Sequence, residues 1–189
     1  MGLLCALALA SAPAAVAATP DCADRAGQCP QAEPAPREDF QPAAAERWIE
    51  VDLESHEVLL RSGSDVLQRV PAATGRNDTP WTTTYSGLFR VYSKSRDLSY
   101  LPQQGVYIRD WVGFDSRWYN GFHSFPLNGR GGVLDGRVGQ DITNGCVRTG
   151  ASDAIYRFAQ IGMRVLIRGD RAPARSLRQG PSRWLLRAV

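Results

Sequence analysis

One stretch of this chain combines a nucleophile with a backbone suited to using it: Thr143-Asn144-Gly145-Cys146-Val147-Arg148. A cysteine that attacks a carbonyl needs a base to take its proton. It also needs amide N–H groups crowded around the oxyanion that forms. Gly145 lacks Cβ and so allows that crowding. His123 lies upstream, followed by Ser124, and is one of only two histidines. The other, His56, falls on an expected strand with no partner motif and reads as a surface residue. The competing reading of Cys146, a small buried hydrophobe, does not account for its polar, glycine-bearing flanks.

The elements around this pair follow from periodicity. Ile49, Val51 and Leu53 alternate with polar residues, the pattern of a half-buried strand. His56 to Arg61 and Asp65 to Pro71 give two more strands, with Gly63 as a turn signal. Segments 86–93, 105–114 and 120–123 read as strands, the first entered from a turn at Thr79-Pro80. Ala154 to Ile161 has helical spacing, with Ser152 as candidate N-cap and Gly162 as stop. Met163, Val165 and Ile167 alternate in a last strand. One short helix among about seven strands predicts a mainly β barrel or sandwich, with the helix after the cysteine.

Composition bounds the rest. Hydrophobic residues make up 43% and charged residues 22%, enough for one globular domain with a core. Of 22 basic residues only Lys94 is a lysine, and the net charge of +3 gives no case for a nucleic-acid partner. Residues 1–18 are small or apolar, are broken by Pro13, and end in Ala15-Val16-Ala17. They read as a signal peptide, so the protein is expected to be exported to periplasm, cell wall or exterior. No Lys or Arg precedes the apolar run, which departs from the usual signal. Residues 19–46 are rich in Pro and Ala and read as a linker. Cys22 and Cys29 lie there, as a disulfide in an oxidising compartment or as two unpaired thiols. Neither their spacing nor any second ligand pair suggests a metal site. The catalytic domain is expected at 47–168. Residues 169–189 carry five Arg against one Asp, a basic tail that packs on the domain or adheres weakly to an anionic surface such as a membrane.

The motif and its flanks resemble the catalytic domain of L,D-transpeptidases, the YkuD type, which cross-link bacterial peptidoglycan. The pattern is a His, a spacer, then Ser/Thr-His/Asn-Gly-Cys-hydrophobic-Arg. Further likeness lies in Trp48 to Leu53, in Pro71-Ala72-Ala73-Thr74-Gly75, in Thr79-Pro80, and in Gly87-Leu88-Phe89-Arg90-Val91. The resemblance runs over about 47–168. Three departures stand out. The His123–Cys146 interval is longer than usual, with the glycine-rich 126–136 segment as a loop insertion. Asn144 replaces a common histidine. Residues 80–87 replace a more proline-rich turn.

The resemblance implies roles. Cys146 is the nucleophile, His123 its base and later proton donor, and Ser124 orients the histidine. The amides of Asn144, Gly145 and Cys146 form the oxyanion hole. Arg148 braces the loop or meets a substrate carboxylate. Apart from the resemblance, Trp118 and Tyr119, next to Asn120-Gly121, read either as cleft or lid residues or as core aromatics. The donor and acceptor would be peptidoglycan stem peptides. Cys146 would attack the amide before the terminal D-alanine, and an amine of a neighbouring stem would resolve the thioester into a 3→3 cross-link. No cofactor is implied, and carbapenems would acylate the cysteine. Two alternatives remain: an L,D-carboxypeptidase that hydrolyses the same thioester, and a non-catalytic wall-binding module. A papain-like protease is disfavoured, because there the cysteine precedes the histidine.

Overall fold

The computed structural model describes residues 40–171. The expected signal peptide, most of the linker, the Cys22–Cys29 pair and the basic tail beyond Arg171 lie outside the described residues.

Two main sheets face each other across one core. The first has five strands: β1 (Arg47–Asp52), β2 (Glu57–Ser62), β3 (Asp65–Pro71), β5 (Gly87–Arg90) and β13 (Arg164–Arg168), in the order β3-β2-β1-β13-β5. Its centre is the parallel pair β1–β13, with Ile49 opposite Val165 and Val51 opposite Ile167. The second sheet has β6 (Ser93–Ser95), β9 (Trp111–Asp115), β10 (Asn120–His123) and β12 (Val147–Arg148), in the order β12-β10-β9-β6. Two short ladders complete the fold: β4 (Thr74–Gly75) with β11 (Asp141–Thr143), and β7 (Ser99–Leu101) with β8 (Val106–Ile108). The only α-helix among the described residues, α1 (Ser152–Phe158), follows Cys146 and packs on β9 and β10. This is the expected mainly β architecture.

The core explains which residues became strands. Ile49, Val51, Val58, Leu60, Val70, Val165 and Ile167 from the first sheet meet Val112, Phe114, Phe122 and Val147 from the second, sealed by Ile155 and Phe158 of the helix. Branched and aromatic side chains fit a pleated surface, and alternation puts them all on inward faces.

Several expectations need correction. β1 is buried on both faces, not one. Trp48 and Glu50, on its outer face, are 3% and 4% exposed. Phe40 packs edge-on against Trp48, at 4.8 Å between ring centroids, and Leu166 joins them. Glu50 is paired with both Arg61 and Arg168. Alternation reports only which face is apolar, and an ion-paired polar face can also be covered. Packing therefore begins before Arg47. It also runs past 168, where Ser86 Oγ donates to the Gly169 carbonyl.

Segment 86–93 splits between the two sheets after Arg90. Segment 105–114 splits at Asp110, whose φ of 56° breaks the strand. The Thr79-Pro80 turn is a 3-10 turn over Pro80–Thr82. The helix starts at Ser152 and ends at Phe158. Ser152 is not its N-cap, because its hydroxyl donates instead to Asp110 Oδ2 at 2.8 Å. At the other helix end, Lys94 Nζ reaches from β6 to donate to the carbonyls of Tyr156 and Ala159 at 2.8 and 2.7 Å. A compact ammonium can reach two orphan carbonyls at once, which gives this lone lysine a physical role.

Candidate active site

The site stands on the parallel pair β10–β12, where Phe122 lies opposite Val147 and His123 opposite Arg148. Side chains alternate across a strand, so Phe122 and Val147 go to the core. Gly121, His123, Cys146 and Arg148 then share the other face. Gly113 pairs with Gly121 on the next strand, so Trp111, Gly113 and Asp115 belong to that face as well.

His123 is 8% exposed, and its Nδ1 lies 2.7 Å from the Ser124 carbonyl oxygen. A carbonyl only accepts, so Nδ1 carries the proton and Nε2 keeps the lone pair of a base. Ser124 is itself fixed: its hydroxyl donates to the Phe125 carbonyl at 2.8 Å and accepts the Arg109 amide at 3.1 Å.

The Cys146 sulfur lies 3.9 Å from the Tyr119 carbonyl and 4.0 Å from Asn120 Oδ1. Both are acceptors here, which suits a thiol and not a thiolate. Among the described residues no hydrogen bond joins the sulfur to His123. Although Cys146 as a residue is half-buried, the surroundings of its sulfur push the thiol up to about 11, against a smaller pull from the Gly121 amide. Burial likewise pushes His123 down to about 4; the Ser124 carbonyl favours its charged form and Arg148 opposes it. Both groups are therefore neutral near pH 7.

The loop before Cys146 is held from three sides. The Thr143 hydroxyl donates to the Cys146 carbonyl at 2.6 Å and accepts the Gly145 amide at 3.2 Å. Thr84 Oγ1 donates to the Gly145 carbonyl at 2.7 Å and accepts the Gly75 amide at 2.8 Å. Asn120, 1% exposed, lies directly beneath Gly145. A Cβ on Gly145 would come within 2.6 Å of Asn120 Oδ1, and its φ is 103°, so no other residue fits. Because the Gly145 amide is donated to Thr143, it must leave that long bond before it can serve an oxyanion. Asn144 is exposed beside it.

Sequence reading missed Asn120 and Thr84 as supports. Asn120 abuts the Trp118-Tyr119 pair, and Thr84 ends a plain threonine run with no motif. Nothing in the linear sequence places either beside Gly145.

Arg148 is 8% exposed and donates to Asp135 Oδ2 at 2.7 Å and to the Arg137 carbonyl at 3.4 Å. That is the geometry of a brace between β12 and the end of the glycine-rich segment. Arg137 and Arg148 hold the Asp135 carboxyl well below the usual range. Trp118 packs edge-on against Trp81, at 4.8 Å, and beside Tyr85. Tyr119 is 65% exposed at the rim, with φ 53°. His56 is not a strand surface residue: it sits in the β1–β2 turn, and its Nε2 is 3.1 Å from Asp141 Oδ1. A cleft of about 290 Å³ opens past Ser124, lined by Arg109, Phe125, Val133, Gly150 and Ser152 among others. Among the described residues no group of three or more His, Cys, Asp or Glu side chains could hold a metal ion.

Residues 46–167 match the family model of the L,D-transpeptidase catalytic domain, YkuD. The chain belongs to this family. Solved L,D-transpeptidase structures share the fold. One from Stackebrandtia nassauensis is 17% identical with a TM-score of 0.52, covering 72% of this chain and 62% of that one. A cysteine-to-serine mutant from Enterococcus faecium is 21% identical with a TM-score of 0.51, covering 65% and 50%. The Ldtfm–avibactam carbamoyl enzyme is 21% identical with a TM-score of 0.51, covering 67% and 50%. The chain thus spans between half and two thirds of the length of these structures. No protein of curated function matches it significantly. L,D-transpeptidases of this family are cysteine-dependent acyltransferases, and the family's action is peptidoglycan cross-linking.

Proposed function

We propose that this protein is an exported peptidoglycan L,D-transpeptidase whose nucleophile is Cys146 and whose base is His123. The observation that carries the reading is one strand face. It presents a histidine with Nδ1–H fixed on Ser124 and Nε2 left with its lone pair, on the strand beside the one that Cys146 leads into. Support also comes from the Ldtfm–avibactam carbamoyl enzyme, since a fold-mate forms a carbamoyl adduct.

A neutral pair fits an attack coupled to proton transfer. As Sγ attacks the carbonyl carbon before the terminal D-alanine, its proton passes to His123 Nε2. The C–N bond breaks, and His123 returns the proton to the departing D-alanine amine. A thioester remains on Cys146. An amine of a second stem then attacks that carbonyl and loses a proton to His123. The C–S bond breaks, and the sulfur takes its proton back. Donors from the Asn144 and Cys146 amides, and from Gly145 once it leaves Thr143, would meet the oxyanion. The brace at Arg148 holds the far end of the strand still.

Mass spectrometry of the full chain with a carbapenem tests the nucleophile. One adduct, mapped to Cys146 and absent in Cys146→Ala, is expected. A folded wild type that takes no adduct from carbapenem or stem tetrapeptide would sink the reading in favour of a wall-binding module. Tetrapeptide with and without an amine acceptor then separates the two enzymes. Cross-linked product marks the transferase, and released D-alanine alone marks the carboxypeptidase.

A further inference from the structure

We infer that Trp111 is a positioning residue of the site, a wall that fixes the plane of His123 and keeps water from it. The inference deepens the reading of His123 as base and rests on it. Trp111 adjoins His123 across the β9–β10 ladder, since Val112 pairs with Phe122 one residue away. Its indole lies nearly parallel to the imidazole, at 17° and 6.4 Å between centroids. Two features hold it there. Nε1 donates to Ser93 Oγ on β6 at 2.9 Å. Gly121 makes room for the ring: a Cβ there would sit 2.7 Å from Cη2 and 2.9 Å from Cζ2 of Trp111. Gly121 precedes His123 by one alternation and lies next to Cys146 across the ladder. The indole therefore covers Gly121.

The physical need is specific. Histidine χ2 is broad, and a single hydrogen bond at Nδ1 fixes one atom but not the ring plane. A flat neighbour supplies the second constraint. Because the same ring excludes water, it disfavours the charged imidazole, in keeping with the low titration of His123.

The test needs no substrate, so its failure is separate from failure of the transpeptidase reading. With only two histidines in the chain, ring-nitrogen NMR of the full-length protein can follow His123 directly. In wild type it should stay neutral, with Nδ1 protonated, down to about pH 4. Trp111→Leu should raise its midpoint by about one unit or more toward the ordinary 6.5, and should mix the two tautomers. Trp111→Phe should restore most of the wild-type pattern. Ser93→Ala, which frees the indole without removing it, should shift the midpoint the same way by less. An unchanged midpoint and tautomer in folded Trp111→Leu, or no shift in Ser93→Ala if Trp111→Leu does not fold, would overturn the inference and leave Trp111 a packing residue.

Discussion

At the scale of single residues, burial sets the chemistry more than charge does. His123 is held near 4 and Cys146 near 11, so neither ion is present at rest. The acid limb of Cys146 acylation should then fall near pH 4, not 6.5. A pH–rate profile with a limb at the ordinary histidine value would contradict that geometry. The same depression has a thermodynamic sign. Between the unfolded value of 6.5 and the folded value of about 4, the unfolded chain binds a proton that the folded one refuses. Stability is complete above 6.5 and declines as pH falls toward 4, by about 3 kcal/mol in all. Denaturant midpoints across that window should show the slope, and His123→Gln should flatten it. Thr84 acts through the loop, bridging Gly75 and Gly145. Thr84→Val leaves the Gly75 amide and Gly145 carbonyl unpaired. It should cost about 2 kcal/mol and slow carbapenem acylation roughly 10- to 100-fold. Unchanged acylation would mean the loop holds its shape without that bridge.

At the scale of elements, short strands and one short helix are held by side chains from elsewhere. The helix α1 is too short to be stable alone. Its C-terminal end is finished by Lys94 from β6, and its first turn by the bond from Ser152 to Asp110. Lys94→Met keeps the stem and removes the ammonium. It should lower stability by about 1–2 kcal/mol, with faster amide exchange around Tyr156 to Gln160. Equal exchange in mutant and wild type would show that packing alone holds the helix. These elements were legible in sequence to different degrees. β1 and β13 follow from alternation, because their inward residues are a simple series. The breaks at Arg90 and Asp110 were not legible. The polypeptide there changes sheets or direction while its residues stay strand-like, and only contact with a neighbouring strand ends the pattern.

At the scale of the whole molecule, one polar junction ties distant segments behind the site. Asp141 accepts from His56 in the first turn, from Thr74 on β4 and from Arg171 at the end of the described chain. Burial raises its carboxyl and these partners more than offset that, so it lies below its ordinary value. Its contribution is present above the ordinary carboxylate range and is lost as pH falls through the lowered folded value. Asp141→Ala should cost roughly 1–2 kcal/mol near neutral pH and slow acylation, because β11 leads directly into Thr143 and Cys146. A loss of stability with acylation unchanged would show that the junction supports the fold but not the nucleophile loop. The sequence by itself determined the mainly β class, the helix after the cysteine, and the Thr143–Arg148 motif with His123, because these depend on local alternation and fixed spacing. Only the tertiary structure decided that Asn120 and Thr84 support Gly145, that Trp111 stands nearly parallel beside His123, and that Cys146 and His123 are both neutral. Those facts arise from strand register and burial, which bring together residues with no shared local pattern.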